Sequence, residues 1–358
     1  MDAFPIAARS LEKYFKVDGR GLERAYKDKL SGFRQWEQAC HAKDWVLLPQ
    51  NMGPRMSLDE CMHAKDLFTF LTNKEGHGKR GTLAAVARGT KVADVERVLM
   101  QIPEEQRLAV EEITMDFSDS MYQIAKRCFP NATIVVDCFH IVQRVCDALN
   151  EMRMRHKRKA VVEQKKEEAE YKAKMAKRRK ARAYYHKKHP RKKNGEKRGR
   201  PRLRANEKFK PTVLSNGDTK VDLLTRARYI LPKSGEDWSE RQKERAALLF
   251  DMCPDIKEAY SLVCKLRAIL RDRKITRSQA RERLHGWYHE VAKSSIREIK
   301  SARDCIKAKE EEVLNFFINR STNAAAESFN SKAKGFRSEL RGVRDLPFFF
   351  YRCAMIFG

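Results

Sequence analysis

The chain has no CxxC pair, and its nine cysteines are scattered and odd in number. That excludes a fully paired disulfide framework and the common CxxC zinc layouts, and it reads as free thiols in a reducing compartment. There is also no 18-residue apolar run and no signal-peptide pattern. The expectation is therefore a cytoplasmic protein without a membrane partner. Acids are in short supply: 48 Asp+Glu stand against 76 Lys+Arg, a net charge of +28 over 358 residues. Such an excess calls for a polyanionic partner, and nucleic acid is the commonest.

The positive charge is concentrated. Residues 155–204 hold 23 Lys+Arg and 5 Asp+Glu, so +18 of the total lies in 50 residues. Apolar residues are few there, and the segment from about 165 to 210 reads as a long helix fraying into disorder. Elsewhere the composition is that of an ordinary globular protein, long enough to bury one large core or two ordinary ones.

Periodicity divides the chain into four parts. Residues 1–50 read as a polar helical segment, with Tyr26, Leu30, Phe33 and Trp36 at helical spacing. Residues 51–140 carry five short apolar runs, at 56–60, 67–72, 82–87, 112–116 and 133–137, with helical patterns at 92–101 and 120–129. Three adjacent strands followed by strand–helix alternation predict a mixed α/β sheet with helices on its faces. Residues 141–320 read as helical throughout, and residues 321–358 as terminal helices. Ser321 or Thr322 is placed to cap a helix running through Glu327 towards Arg337.

Two of the runs, Leu58-Asp59 and Met115-Asp116, end an apolar stretch with an aspartate. On neighbouring strands those carboxylates would meet at one edge, where like charges repel unless a cation lies between them. An oxygen-only donor set of this kind suits a hard divalent cation. An aspartate closing a strand also serves simply as a turn or helix cap, and spacing alone does not separate the two.

Several blocks are similar to the bacterial insertion-sequence transposases of the ISL3 type, in particular a subgroup whose protein is split. They are LSGFR at 30–34, SLDE at 57–60, LTNK at 71–74, RGT at 88–90, FPNA at 129–132 and DCFH at 137–140. A long run, NRSTNAAAESFNSK at 319–332, is continued by RGVRD at 341–345. The resemblance implies a DDE transposase with a ribonuclease-H-like mixed sheet and a large all-helical insertion between the fifth strand and the glutamate-bearing helix. It implies Asp59, Asp116 and Glu327 as catalytic residues and as ligands of two Mg²⁺ ions, which Mn²⁺ can replace. Asp137 and His140 match an Asp-x-x-His box and are expected as accessory residues. Asp137 is the competitor of Asp59 for the triad.

The same resemblance implies double-stranded DNA as partner, at transposon ends and at the target. Two-metal chemistry would hydrolyse a phosphodiester at an end, and the freed 3′-OH would join a target strand. A homodimer on the bacterial nucleoid is expected. Transposases of this broad type begin with a zinc-binding segment and a helix-turn-helix, and neither precedes Asp59. A separately encoded recognition protein is the expected substitute.

On the glutamate helix, Asn330, Lys334 and Arg337 follow Glu327 at i+3, i+7 and i+10, and with Arg320 and Asn323 they are expected to grip the DNA backbone. Arg198, Arg200 and Arg202, in KRGRPR at 197–202, resemble an AT-hook core that would enter a narrow minor groove. Trp238, Trp287 and Tyr288 could stack on unpaired bases or belong to a core. His285 and His289 form an i, i+4 pair without evident zinc partners. Two rival readings are a DNA-binding remnant that has lost its chemistry and a structural nucleoid protein.

Overall fold

The computed structural model describes residues 1–63, 65–189, 208–340, 343 and 345–358. Its six strands are β1 (Trp45–Leu47), β2 (Arg55–His63), β3 (Asp66–Asn73), β4 (Leu83–Arg88), β5 (Glu112–Met115) and β6 (Thr133–Val136). The helices of the first half are α1 (Ala8–Phe15), α2 (Gly19–Ala25), α3 (Val92–Leu99), α4 (Glu104–Leu108), α5 (Asp119–Cys128) and α6 (Cys138–Lys188). Next come α7 (Lys220–Arg226), α8 (Glu240–Met252), α9 (Pro254–Arg271), α10 (Arg277–Lys293) and α11 (Arg297–Ala308). The chain closes with α12 (Glu310–Asn319), α13 (Ala324–Glu339) and α14 (Leu346–Phe357). No helix among the described residues is long and apolar enough to cross a membrane. All nine cysteines are free thiols.

The strands make one sheet in the order β1-β4-β3-β2-β5-β6. β2, β3 and β4 form an antiparallel meander, while β5 and β6 add in parallel beside β2. The parallel steps need crossovers, and α3 to α5 supply them. Along β2 the side chains alternate, with Met56 and Leu58 on one face and Ser57, Asp59, Cys61 and His63 on the other. Both sets are buried, so the sheet is covered on both sides. α5 packs against β2, β5 and β6. On the face that carries Cys61, α13 and α14 contribute Phe329, Phe336, Phe349 and Phe350 to a core shared with Phe68 and Phe70 of β3.

The expectation of an entirely helical segment over residues 1–50 does not hold. The apolar triplet Trp45-Val46-Leu47 pairs antiparallel with β4 and becomes an edge strand, because β4 would otherwise leave its backbone groups unpaired.

The chain divides into two compact units, residues 1–143 with 269–285 and 304–358, and residues 144–268 with 286–303. The predicted 141–320 segment is therefore not one body. Its last helix, α12, belongs with the sheet. There it buries Val313, Leu314, Phe316 and Phe317, and Asn315 Nδ2 donates to the Ile134 carbonyl at 2.9 Å. Among its described residues the second unit has helices and no strand, apart from an isolated Val213–Thr219 bridge. Leu149, Met152, Val263, Leu266 and Trp287 are among its buried residues. From residue 161 to 189, in contrast, α6 and the residue after it have no buried position.

Candidate active site

Parallel pairing fixes the site. Leu58 lies opposite Met115, and Met115 opposite Val136. The next residue of each chain segment is an aspartate, so Asp59, Asp116 and Asp137 stand in one row across three adjacent strands. Strands about 4.8 Å apart bring three carboxylates close together. Two positions earlier on the same face, Ser57 Oγ and Thr114 Oγ1 are 2.6 Å apart and buried.

α13 passes over this row. Its preceding residue, Asn323, is fully buried and ties the helix to the acids: Nδ2 donates to Asp116 Oδ1 at 3.0 Å and the backbone N–H to Asp137 Oδ2 at 3.1 Å. Thr114 Oγ1 in turn donates to Asn323 Oδ1 at 3.4 Å. Two turns on, Asn330 Nδ2 donates to Asp59 Oδ2 at 2.6 Å. Glu327, exposed and in the first turn of α13, lies between these two anchors. From the start of α6, His140 Nε2 approaches Asp116 Oδ1 at 2.9 Å. Asp137, His140 and Glu327 each offer a ligand atom within 4.8 Å of the others.

The electrostatics follow from this crowding. Burial pushes the Asp59 carboxyl up to about 7, the Asp116 and Glu327 charges push the same way, and the Glu60 N–H and His140 oppose them. The hydrogen bond to Asp116 raises the His140 imidazole above its ordinary value, with help from the Asp116, Asp137 and Asp59 charges and against the effect of burial. At the far end of the same strand, His63 has the opposite surroundings. Burial, with Arg337 and Lys334 nearby, lowers it to about 4, and neither ring nitrogen has a hydrogen-bond partner.

A family described as a transposase, the ISL3-type DDE transposases, matches residues 56–353. The chain belongs to this family. It is a DNA transposase of insertion-sequence mobile elements, in the nuclease and transesterase class, and it binds DNA. Enzymes of this family use a divalent metal. No curated protein and no solved structure gives a match.

The fold brings Asp59, Asp116, Glu327, Asp137 and His140 of this transposase together. Three of the residues expected to hold DNA are placed otherwise. Asn323 and Asn330 are buried, and their amides bond Asp116 and Asp59. Arg320 has a left-handed backbone at the end of α12, and its guanidinium donates to the carbonyls of Asp272 and Ile275 at 2.7 and 3.1 Å. It also lies over the Phe317 ring, 4.5 Å from the centroid. Its donors thus close the 272–275 turn instead of reaching outward. Lys334 is exposed and Arg337 half-buried, so both can meet phosphate. Arg198, Arg200 and Arg202 lie outside the described residues.

The roles of Ser57, Thr114, Asn323 and Asn330 around the acids were not anticipated. Ser57 and Thr114 were detectable as polar residues two positions before an aspartate, on the same strand face. The asparagines offered no such signal, because a helix stripe does not say which sheet face it meets. His285 is paired with Glu310 at 2.9 Å.

Proposed function

We propose that this transposase cuts and joins DNA at its row of acids, with Asp59, Asp116 and Glu327 as the metal ligands. The observation that carries this reading is the convergence of three strand-borne carboxylates and a helical glutamate, with Asp59 driven up to about 7 by burial and by its neighbours' charge. So much negative charge in one partly dry place is relieved by a cation, and hard oxygens fit magnesium or manganese. Two such ions, when bound, supply Lewis-acid stabilisation of the attacking and leaving oxygens of a phosphodiester. Asp59 and Asp116 would hold the first and Glu327 the second.

The chain's other groups prepare that site. Asn330 and Asn323 fix the rotamers of Asp59 and Asp116, as supporting hydrogen bonds do for metal ligands. Asp137 accepts the backbone N–H groups of Phe139 and Asn323, which suits a residue that aligns the starts of α6 and α13. His140 steadies Asp116 through Nε2. Water hydrolyses a phosphodiester at the transposon end and leaves a 3′-OH. That 3′-OH then attacks a target phosphate in line, displacing a target 3′ oxygen.

An acid on β2, a second just after β5 in the parallel crossover part, and a glutamate from a late helix support a ribonuclease-H-like fold. Lys334, Arg337 and the basic face of α6 are assigned to phosphate contacts, with Arg198, Arg200 and Arg202 as further candidates. The protein is proposed to act as a dimer, with end recognition supplied by a separate protein.

A magnesium-dependent nicking assay on the element's ends, with and without the upstream protein, tests the reading. Asp116→Ala should abolish nicking while DNA affinity stays within a few-fold. Near-normal joining by that variant, or the absence of nicking by the wild type with its partner, would refute it. Asp59→Asn and Asp137→Asn in the same assay separate the two candidate ligands, since only the true ligand should give complete loss.

A further inference from the structure

Phe139 lies between buried Cys138 and half-buried His140, yet is itself 62 % exposed. Its N–H donates to Asp137 Oδ1 at 2.9 Å, and its ring meets the His140 ring edge-on, with centroids 5.3 Å apart and planes at 90°. The backbone is thus fixed by the acid row while the ring faces solvent at its rim. Phe68, Phe70 and Phe329 of the same unit are at most 1 % exposed. Phe4 and Phe15 of that unit are also exposed, at 63 and 68 %, and what marks Phe139 is the contact of its ring with His140.

The aromatics that the sequence offered for stacking are already engaged in the helical unit. Trp287 is 2 % exposed and its Nε1 donates to the Leu262 carbonyl at 2.8 Å. Trp238 stacks on Tyr260, with centroids 5.2 Å apart, and donates to the Ile230 carbonyl. Tyr288 is buried.

We propose that Phe139 stacks on a nucleobase freed from the duplex beside the phosphate that is cut. The proposal rests on reading the acid row as the cutting site. A phosphate seated at Asp59, Asp116 and Glu327 carries its flanking nucleotides past the rim where Phe139 stands. A base swung out of its pair loses stacking on both faces, and a flat apolar ring restores one of them. Stacking on an aromatic side chain tolerates any base, which suits a position that opens the helix without reading it.

The test uses the full chain in calcium buffer, so that binding is read without cutting. The probes are two duplexes of about 30 base pairs, one with a single unpaired 2-aminopurine at its centre and one fully paired. Wild type should bind the unpaired probe on the order of ten-fold more tightly and shift its fluorescence. Phe139→Leu keeps an apolar side chain but lacks the flat face. It should lose the preference while keeping its affinity for paired duplex and its melting temperature. Phe139→Trp should keep the preference and quench the probe more strongly. An unchanged preference in Phe139→Leu overturns the proposal, as does a wild type that does not distinguish the probes. Nicking in magnesium is scored separately. A protein that nicks ends but ignores the unpaired base refutes the stacking role alone. One that prefers the unpaired base but never nicks refutes the cutting-site reading instead.

Discussion

Asp59, Asp116 and Asp137 stand on adjacent strands with their oxygens held by asparagines, a histidine and backbone N–H groups, whereas the lysines and arginines of α6 beyond residue 161 lie on a helical stretch with no buried position. Both regions concentrate charge of one sign, but in different surroundings. Charges in a partly dry, bonded row interact strongly, so each depends on its neighbours' positions to a fraction of an ångström. Charges along a solvated helix are screened within about 8–10 Å, and one can largely replace another. The first arrangement suits chemistry on a single phosphate, and the second suits holding a long polyanion. A transposase needs both, and this chain places them in different stretches.

Mutations that break one region and spare the other test the contrast. The largest effect is expected from Asp116→Ala, which should cut the nicking rate by on the order of 10³-fold or more in single-turnover assays. Gel-shift affinity for DNA should change only a few-fold. Asn323→Ala comes next. It removes the donor to Asp116, so the rate at fixed magnesium should fall by about 10–100-fold. Part of that loss should return at high magnesium, because the ligands remain but are less well held. A rate unchanged at low magnesium would show that the amide network is not needed to hold the acids.

On the other side of the comparison, Lys177, Arg178 and Lys180 are exposed on α6. Changing all three to glutamine should weaken DNA binding and flatten the plot of log affinity against log salt by about 2–3 units of slope. Nicking at saturating DNA should stay the same. A large fall in that saturated rate would mean that holding and cutting are not separable.

The smallest effect at neutral pH, and the one that sharpens the contrast inside the sheet unit, concerns His63. Its folded value of about 4 lies below the ordinary 6.5, so the unfolded chain takes up the proton first as pH falls. The stability it permits is complete above about pH 6.5 and is lost progressively down to about pH 4, by roughly 3 kcal/mol in all. His63→Phe should abolish that part of the acid sensitivity in urea melts while leaving DNA binding at pH 7.5 unaltered. An identical pH slope in the variant would show that His63 is not its source.

Much of the sheet was legible in the sequence because period-two runs bounded by glycine and turn residues are a local signal. All five predicted runs are strands in the structure, with ends shifted by a few residues. β1 was not legible. Three residues carry no periodicity, and Trp45–Leu47 is a strand only because the β4 edge is there to pair with. The acids were visible as strand ends, and Glu327 through the family's motif. Asn323 and Asn330 looked like outward polar positions on a helix, since a sequence does not state which face of α13 meets β2.

By itself, then, the sequence determined the chemistry available to this transposase: hard acidic oxygens, a separate basic stretch and the local strand and helix periods. These depend on residue type and short spacing. Tertiary structure alone decided which of those groups meet. Parallel register set Asp59, Asp116 and Asp137 in one row, and the path of α13 brought Glu327 above it from two hundred residues away. It also buried two asparagines as supports and left Phe139 exposed at the rim. The physical reason is that register and burial are cooperative properties of the whole packed sheet and are not encoded by any one segment.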